Sequence, residues 1–165
     1  MIFNRLPRFF CAFVLSLSLL LSACGATTTA PPQNAGTGGT ATDVATAEPI
    51  AGGKFNRYFP KGGGEYQITF RQEKQGFAQA KLSQGGTELA MLSINDVANN
   101  PSALNKFRDS GQTIAGYPAT TVGNNTTALL VGDRFQVKVQ STSMAPGDRE
   151  AWLQQFDLNG LSKLR

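Results

Sequence analysis

Apolar and polar residues alternate along three stretches of the chain with the period of two that marks a strand lying half in and half out of a core. From Glu65 to Arg71, Tyr66, Ile68 and Phe70 oppose Gln67, Thr69 and Arg71. From Arg134 to Gln140, Phe135, Val137 and Val139 oppose Gln136, Lys138 and Gln140, and Ala78, Ala80 and Leu82 oppose Gln79 and Lys81. Leu89 to Ile94 is apolar on both sides, which predicts a strand in the middle of a sheet. Pro118 inside the Thr113 to Val122 stretch predicts an edge strand or a bulge there.

Turn residues separate these runs at Gly62-Gly63-Gly64, Gln75-Gly76, Gly85-Gly86, Gly123-Asn124-Asn125 and Gly132-Asp133. The last pair predicts a two-residue hairpin, since Gly supplies the positive φ that such turns need. Two helices are predicted. Asn100-Pro101 forms a cap and first position before Leu104 and Phe107, with Gly111 as the stop. The second helix begins near Asp148, with Trp152, Leu153 and Phe156 as its apolar face, and Asp157 caps a last turn carrying Leu158, Leu161 and Leu164. The order is four strands, helix, three strands, helix with a short helical tail. It predicts one α+β domain over residues 54–165, an antiparallel sheet of about seven strands with two main helices. In architecture alone, this mixture is similar to PsbP-like lipoproteins; no motif carries residues across.

Preceding that domain, residues 25–53 hold 7 Thr, 7 Ala, 6 Gly and 3 Pro, with no aromatic residue and no Lys or Arg. Such a segment lacks the apolar surface that folding requires and is predicted to be a tether. Further upstream, Arg5 and Arg8 lead into an uncharged apolar run of 13 residues, Phe9 to Leu21. As a helix it covers about 20 Å, short of a hydrocarbon core of about 30 Å, so it reads as the h-region of a signal peptide. Leu21-Ser22-Ala23-Cys24 then follows.

With the basic start and the apolar run before it, this tetrapeptide resembles the lipobox of bacterial lipoprotein precursors. The resemblance covers residues 1–24 and implies cleavage between Ala23 and Cys24, a signal peptide over residues 1–23, and a diacylglyceryl group on the Cys24 thiol. It implies an exported protein anchored to a bacterial membrane through lipid on Cys24, facing the periplasm, the lumen or the cell exterior. Each buried methylene contributes about 0.8 kcal/mol, so two or three acyl chains anchor stably where one does not.

Charge and composition narrow the domain's role. Of 15 Lys and Arg, Arg5 and Arg8 leave with the signal peptide, so 13 face 11 Asp and Glu, a formal +2. The basic residues are scattered singly, which argues against a nucleic-acid partner. The chain has no His, and of its two Cys, Cys11 leaves with the signal peptide and Cys24 carries the lipid. That removes the commonest general base, and neither a metal centre nor a cofactor is expected. Asn95, Asp96, Asn99 and Asn100 contain a single carboxylate and do not fit a calcium loop. Nothing singles out a catalytic pair among the nine acids of the domain, and the four-residue spacing of Ser102 and Lys106 fits an exposed helix face.

The expected function is therefore non-catalytic binding or accessory work in the cell envelope. The partner would be an envelope protein or a glycan. The alternative is an envelope hydrolase using carboxylates or a Ser/Lys pair. If the strands pair as their patterns suggest, Gln67, Arg71, Gln79, Lys81, Gln136, Lys138 and Gln140 share one polar face. From it Arg71, Gln79, Lys81, Gln136 and Lys138 are the candidate binding residues, joined by Tyr117 beside Pro118. Trp152 is expected in the core.

Overall fold

The computed structural model describes residues 47–165. The segment predicted to be a signal peptide, Cys24 and most of the predicted tether lie outside them. Within them the chain forms β1 (Tyr66–Lys74), β2 (Phe77–Gln84), β3 (Thr87–Asp96), α1 (Asn105–Arg108), β4 (Gln112–Ile114), β5 (Tyr117–Val122), β6 (Thr126–Val131), β7 (Phe135–Gln140), α2 (Pro146–Leu153) and α3 (Leu158–Ser162). Short 3-10 helices at Gly52–Tyr58 and Pro101–Leu104 precede β1 and α1. The seven strands make one antiparallel sheet in the order β1-β2-β3-β7-β6-β5-β4. Two meanders meet at the β3–β7 pair, and β3 lies inside the sheet, as its apolar pattern predicts.

Three strands precede the first helix and four follow it, not four and three. The Thr113 to Val122 stretch is a hairpin: Ala115 and Gly116 take φ of 51° and 83°, and Ile114 pairs with Tyr117. A positive φ at Ala carries no sequence signal. Pro118 lies beyond the last β5–β6 pair, Ala119 with Leu129, so its missing N–H leaves no ladder position empty there. At the β6–β7 turn Gly132 and Asp133 both have positive φ, and the Arg134 amide donates to the Val131 carbonyl at 3.2 Å. The loop has three residues rather than two, because Val131 pairs with Phe135 and Arg134 is left out of the ladder.

One sheet face packs against the 3-10 helix Gly52–Tyr58, α2 and α3. Leu82, Leu92, Ile94, Leu129, Val137 and Val139 are fully buried there with Phe55, Leu153 and Leu161. Ile50 is buried in the same core, ahead of Lys54. Asp157 caps α3 as predicted, its carboxylate accepting from Gly160 N at 2.8 Å. The second helix buries Arg149 and Leu153 rather than Trp152, which is only half-buried at the core's margin. Arg149, 2% exposed, donates to Thr127 Oγ1 at 3.0 Å and to the Met144 carbonyl at 2.7 Å. On the opposite face α1 covers only the β5–β7 half, where Phe107 packs with Val97, Ala128 and Leu130.

Arg134, freed by its turn, forms a two-pronged ion pair with Asp96, Nε to Oδ1 at 3.0 Å and a terminal nitrogen to Oδ2 at 2.7 Å. The Asp96 side chain is 0% exposed and also accepts from the amides of Ile50 and Ala98, while Arg134 donates to the Glu48 carbonyl. Burial pushes the Asp96 carboxyl up, but the Arg134 hydrogen bond, the two backbone amides and the Arg134 charge outweigh it and hold it below the ordinary carboxylate value. A carboxylate depressed in the fold contributes stability that is fully present above its unfolded value, about 4, and is lost as pH falls through the folded one. Asp96→Asn should therefore cost about 1–3 kcal/mol at neutral pH by stranding Arg134. In urea denaturation the gap to wild type should shrink as pH drops below about 4, and an unchanged gap would refute the account.

Candidate functional site

Strand register places Gln79, Lys81, Gln136 and Lys138 on the face away from α2, together with Gln140. Lys81 lies opposite Met91, which lies opposite Gln140; Gln79 lies opposite Ser93, which lies opposite Lys138. Gln136 sits between Asn95 and Leu130. Four of the six residues expected to form a binding surface are thus brought together by pleat alternation. Arg71 is exposed at the register shift between Phe70 and Gln72, where the alternation is interrupted. Tyr117 shares its strand side with buried Ala119 and lies on the helix-covered face, half-buried, donating its hydroxyl to Asn159 Oδ1 at 3.1 Å.

The polar face is not uniformly open. Over β1, β2 and the start of β3 it is free of helices, but near α1 Gln136 is only 3% exposed and its amide nitrogen has no hydrogen-bond partner among the described residues. Lys138, on the same strand, is half-buried, and burial pulls its amine down. Lys106 on α1 is pulled down by burial and then by the Lys138 charge. The ion pair found among the described residues is Arg134–Asp96, so neither lysine has a carboxylate within bonding distance. This face is rich in donors and suited to carbonyl, hydroxyl or anionic acceptors.

The hydroxyl and carboxylate weighed and set aside in the sequence are engaged with other partners. Ser102 donates its hydroxyl to Asn100 Oδ1 at 2.6 Å rather than to Lys106, and Asp96 is occupied by Arg134. Among the described residues no three His, Cys, Asp or Glu side chains are grouped to hold a metal.

A second site was not anticipated. β1 is an edge strand, beyond full cover by the helices, so Tyr66 and Phe70, read from sequence as a buried side, are each 37% exposed. Phe59 packs edge-on against Phe70 with ring centroids 5.1 Å apart, and Trp152 meets Tyr66 at 5.1 Å with the rings inclined at 72°. Two cavities, of about 350 and 400 Å³, flank this corner, and Tyr66, Ala151 and Trp152 line both. Lys61 and Gln155 border the first; Ser143 and Asp148 border the second. The outcome is a groove that runs past an aromatic corner between polar rims. Helical periodicity cannot reveal it, because Trp152 has the spacing of a core residue and only the edge position of β1 leaves its surroundings open.

Comparison with protein-family models, curated proteins and solved structures finds no match to this chain.

The two neighbouring α2 residues should separate in a stability measurement. Leu153→Ala, in a fully buried position, is expected to cost about 2–5 kcal/mol, whereas Trp152→Ala should cost less because part of the ring already faces solvent. Chemical denaturation compares them directly; a larger loss for Trp152→Ala would return that residue to the core.

Proposed function

We propose that the chain is the precursor of a bacterial lipoprotein, cleaved between Ala23 and Cys24 and held on a membrane by lipid on Cys24. Its folded domain is a non-catalytic binding module of the cell envelope. The observation that carries the anchor is the order of Arg5 and Arg8, the 13-residue apolar run and Leu21-Ser22-Ala23-Cys24. Among the described residues no helix is long and apolar enough to cross a membrane. On this reading the Thr/Ala/Gly/Pro-rich segment is a spacer that lifts the domain off the bilayer.

Support for binding comes from the two surfaces just described, a donor-rich sheet face and an aromatic groove with a polar rim. The hydrolase alternative finds less support, since the Ser102 proton is spent on Asn100 and the groove borders a single carboxylate, Asp148. The likeness to PsbP-like lipoproteins rests on architecture only, an antiparallel sheet with helices on both faces.

Cys24→Ser removes the thiol that the lipid requires. The variant should fail to incorporate labelled palmitate and should accumulate uncleaved or leave the membrane fraction; equal labelling of the variant and wild type would overturn the anchor.

A further inference from the structure

We propose that the groove at Tyr66 and Trp152 binds an oligosaccharide chain. The inference deepens the binding-module reading and rests on it. A pyranose ring has an apolar C–H face and a rim of hydroxyls, so its receptor needs an aromatic surface with short polar groups beside it. The groove supplies both. Tyr66 and Trp152, inclined at 72°, line the cavities on either side, so one chain of sugar rings can pass the corner and occupy both. Lys61 and Gln155 in one cavity, and Ser143 and Asp148 in the other, provide donors and acceptors of the kind that hydroxyls satisfy.

Other occupants fit less well. An extended peptide docks on a sheet by adding a strand to a free edge. Here the β1 edge beside the groove is already engaged: Gly63 N donates to the Tyr66 carbonyl at 3.0 Å and Tyr66 N donates to the Gly63 carbonyl at 3.1 Å. A lipid tail would strip water from the ammonium, amide, hydroxyl and carboxylate of the rim without replacing its hydrogen bonds. A sugar chain replaces them.

Trp152 is the sole Trp of the chain, so its emission reports from the groove itself. The full chain in detergent micelles is titrated with tetra-N-acetylchitotetraose and with cellotetraose, and the sugars are chromatographed afterwards. A saturable change in Trp152 emission is expected with at least one of them. Tyr66→Ala, at an exposed position that leaves the core intact, should weaken it about tenfold, Gln155→Ala should weaken it less, and Lys163→Ala, exposed just after α3 and outside both cavities, should leave it unchanged. No saturable response to either sugar, or a response confined to an extended apolar peptide, overturns the proposal. Recovery of the sugar intact supports non-catalytic binding; recovery of shortened sugar overturns that reading while the ligand class stands.

Discussion

The Asp96–Arg134 pair holds together parts of the chain that no single ladder joins. Asp96 closes β3, and Arg134 sits just before β7, so the pair locks the end of the ladder along which the two meanders meet. Through the Ile50 amide and the Glu48 carbonyl it also docks the segment leading into the domain, which lets Ile50 enter the core. Its formation depends on local backbone chemistry. Gly132 and Asp133 make the turn with positive φ, Arg134 is left over, and its side chain is free to reach a carboxylate 38 residues away. Such a buried pair holds only when its remaining lone pairs are satisfied, and the amides of Ile50 and Ala98 fulfil that condition.

How the helices cover the sheet then decides where function can reside. α2 and α3 press on one face, while α1 lies across only half of the other, and β1 is left partly covered, with Ile68 against the core and Tyr66 and Phe70 partly exposed. The uncovered half of the second face keeps its amides and lysines available to solvent. At the β1 margin, aromatic side chains that a wider cover would have buried are left at the rim of a groove instead. Both surfaces follow from seven strands being served by three short helices.

Much of this was legible along the chain. Alternation located β1, β2 and β7, two-sided apolarity placed β3 inside the sheet, and Asp157 announced its cap, because each of these signals is local. The polar set Gln79, Lys81, Gln136 and Lys138 was legible for the same reason, as pleat alternation fixes which side chains share a face. The rest depends on distant contacts. Asp96 and Arg134 have no sequence relation that marks them as partners. Arg149 interrupts an apolar helix face, where it donates to Thr127 Oγ1 and the Met144 carbonyl while its other terminal nitrogen has no partner among the described residues. Tyr117 and Trp152 are each only half-buried against the core, and how far a large ring is covered depends on the element lying across from it.

The irregular β1 and the brevity of β4 carry a further consequence for crowded neighbours. A long, flat outer strand invites identical molecules to zip their sheets together. β1 instead breaks its register between Phe70 and Gln72 and carries Arg71, Glu73 and Lys74 along its second half. Gly63 occupies its other end, and β4 offers only three residues at the opposite border. Neither border of the sheet therefore offers the long, regular, unpaired edge along which identical sheets could continue one another into a fibril.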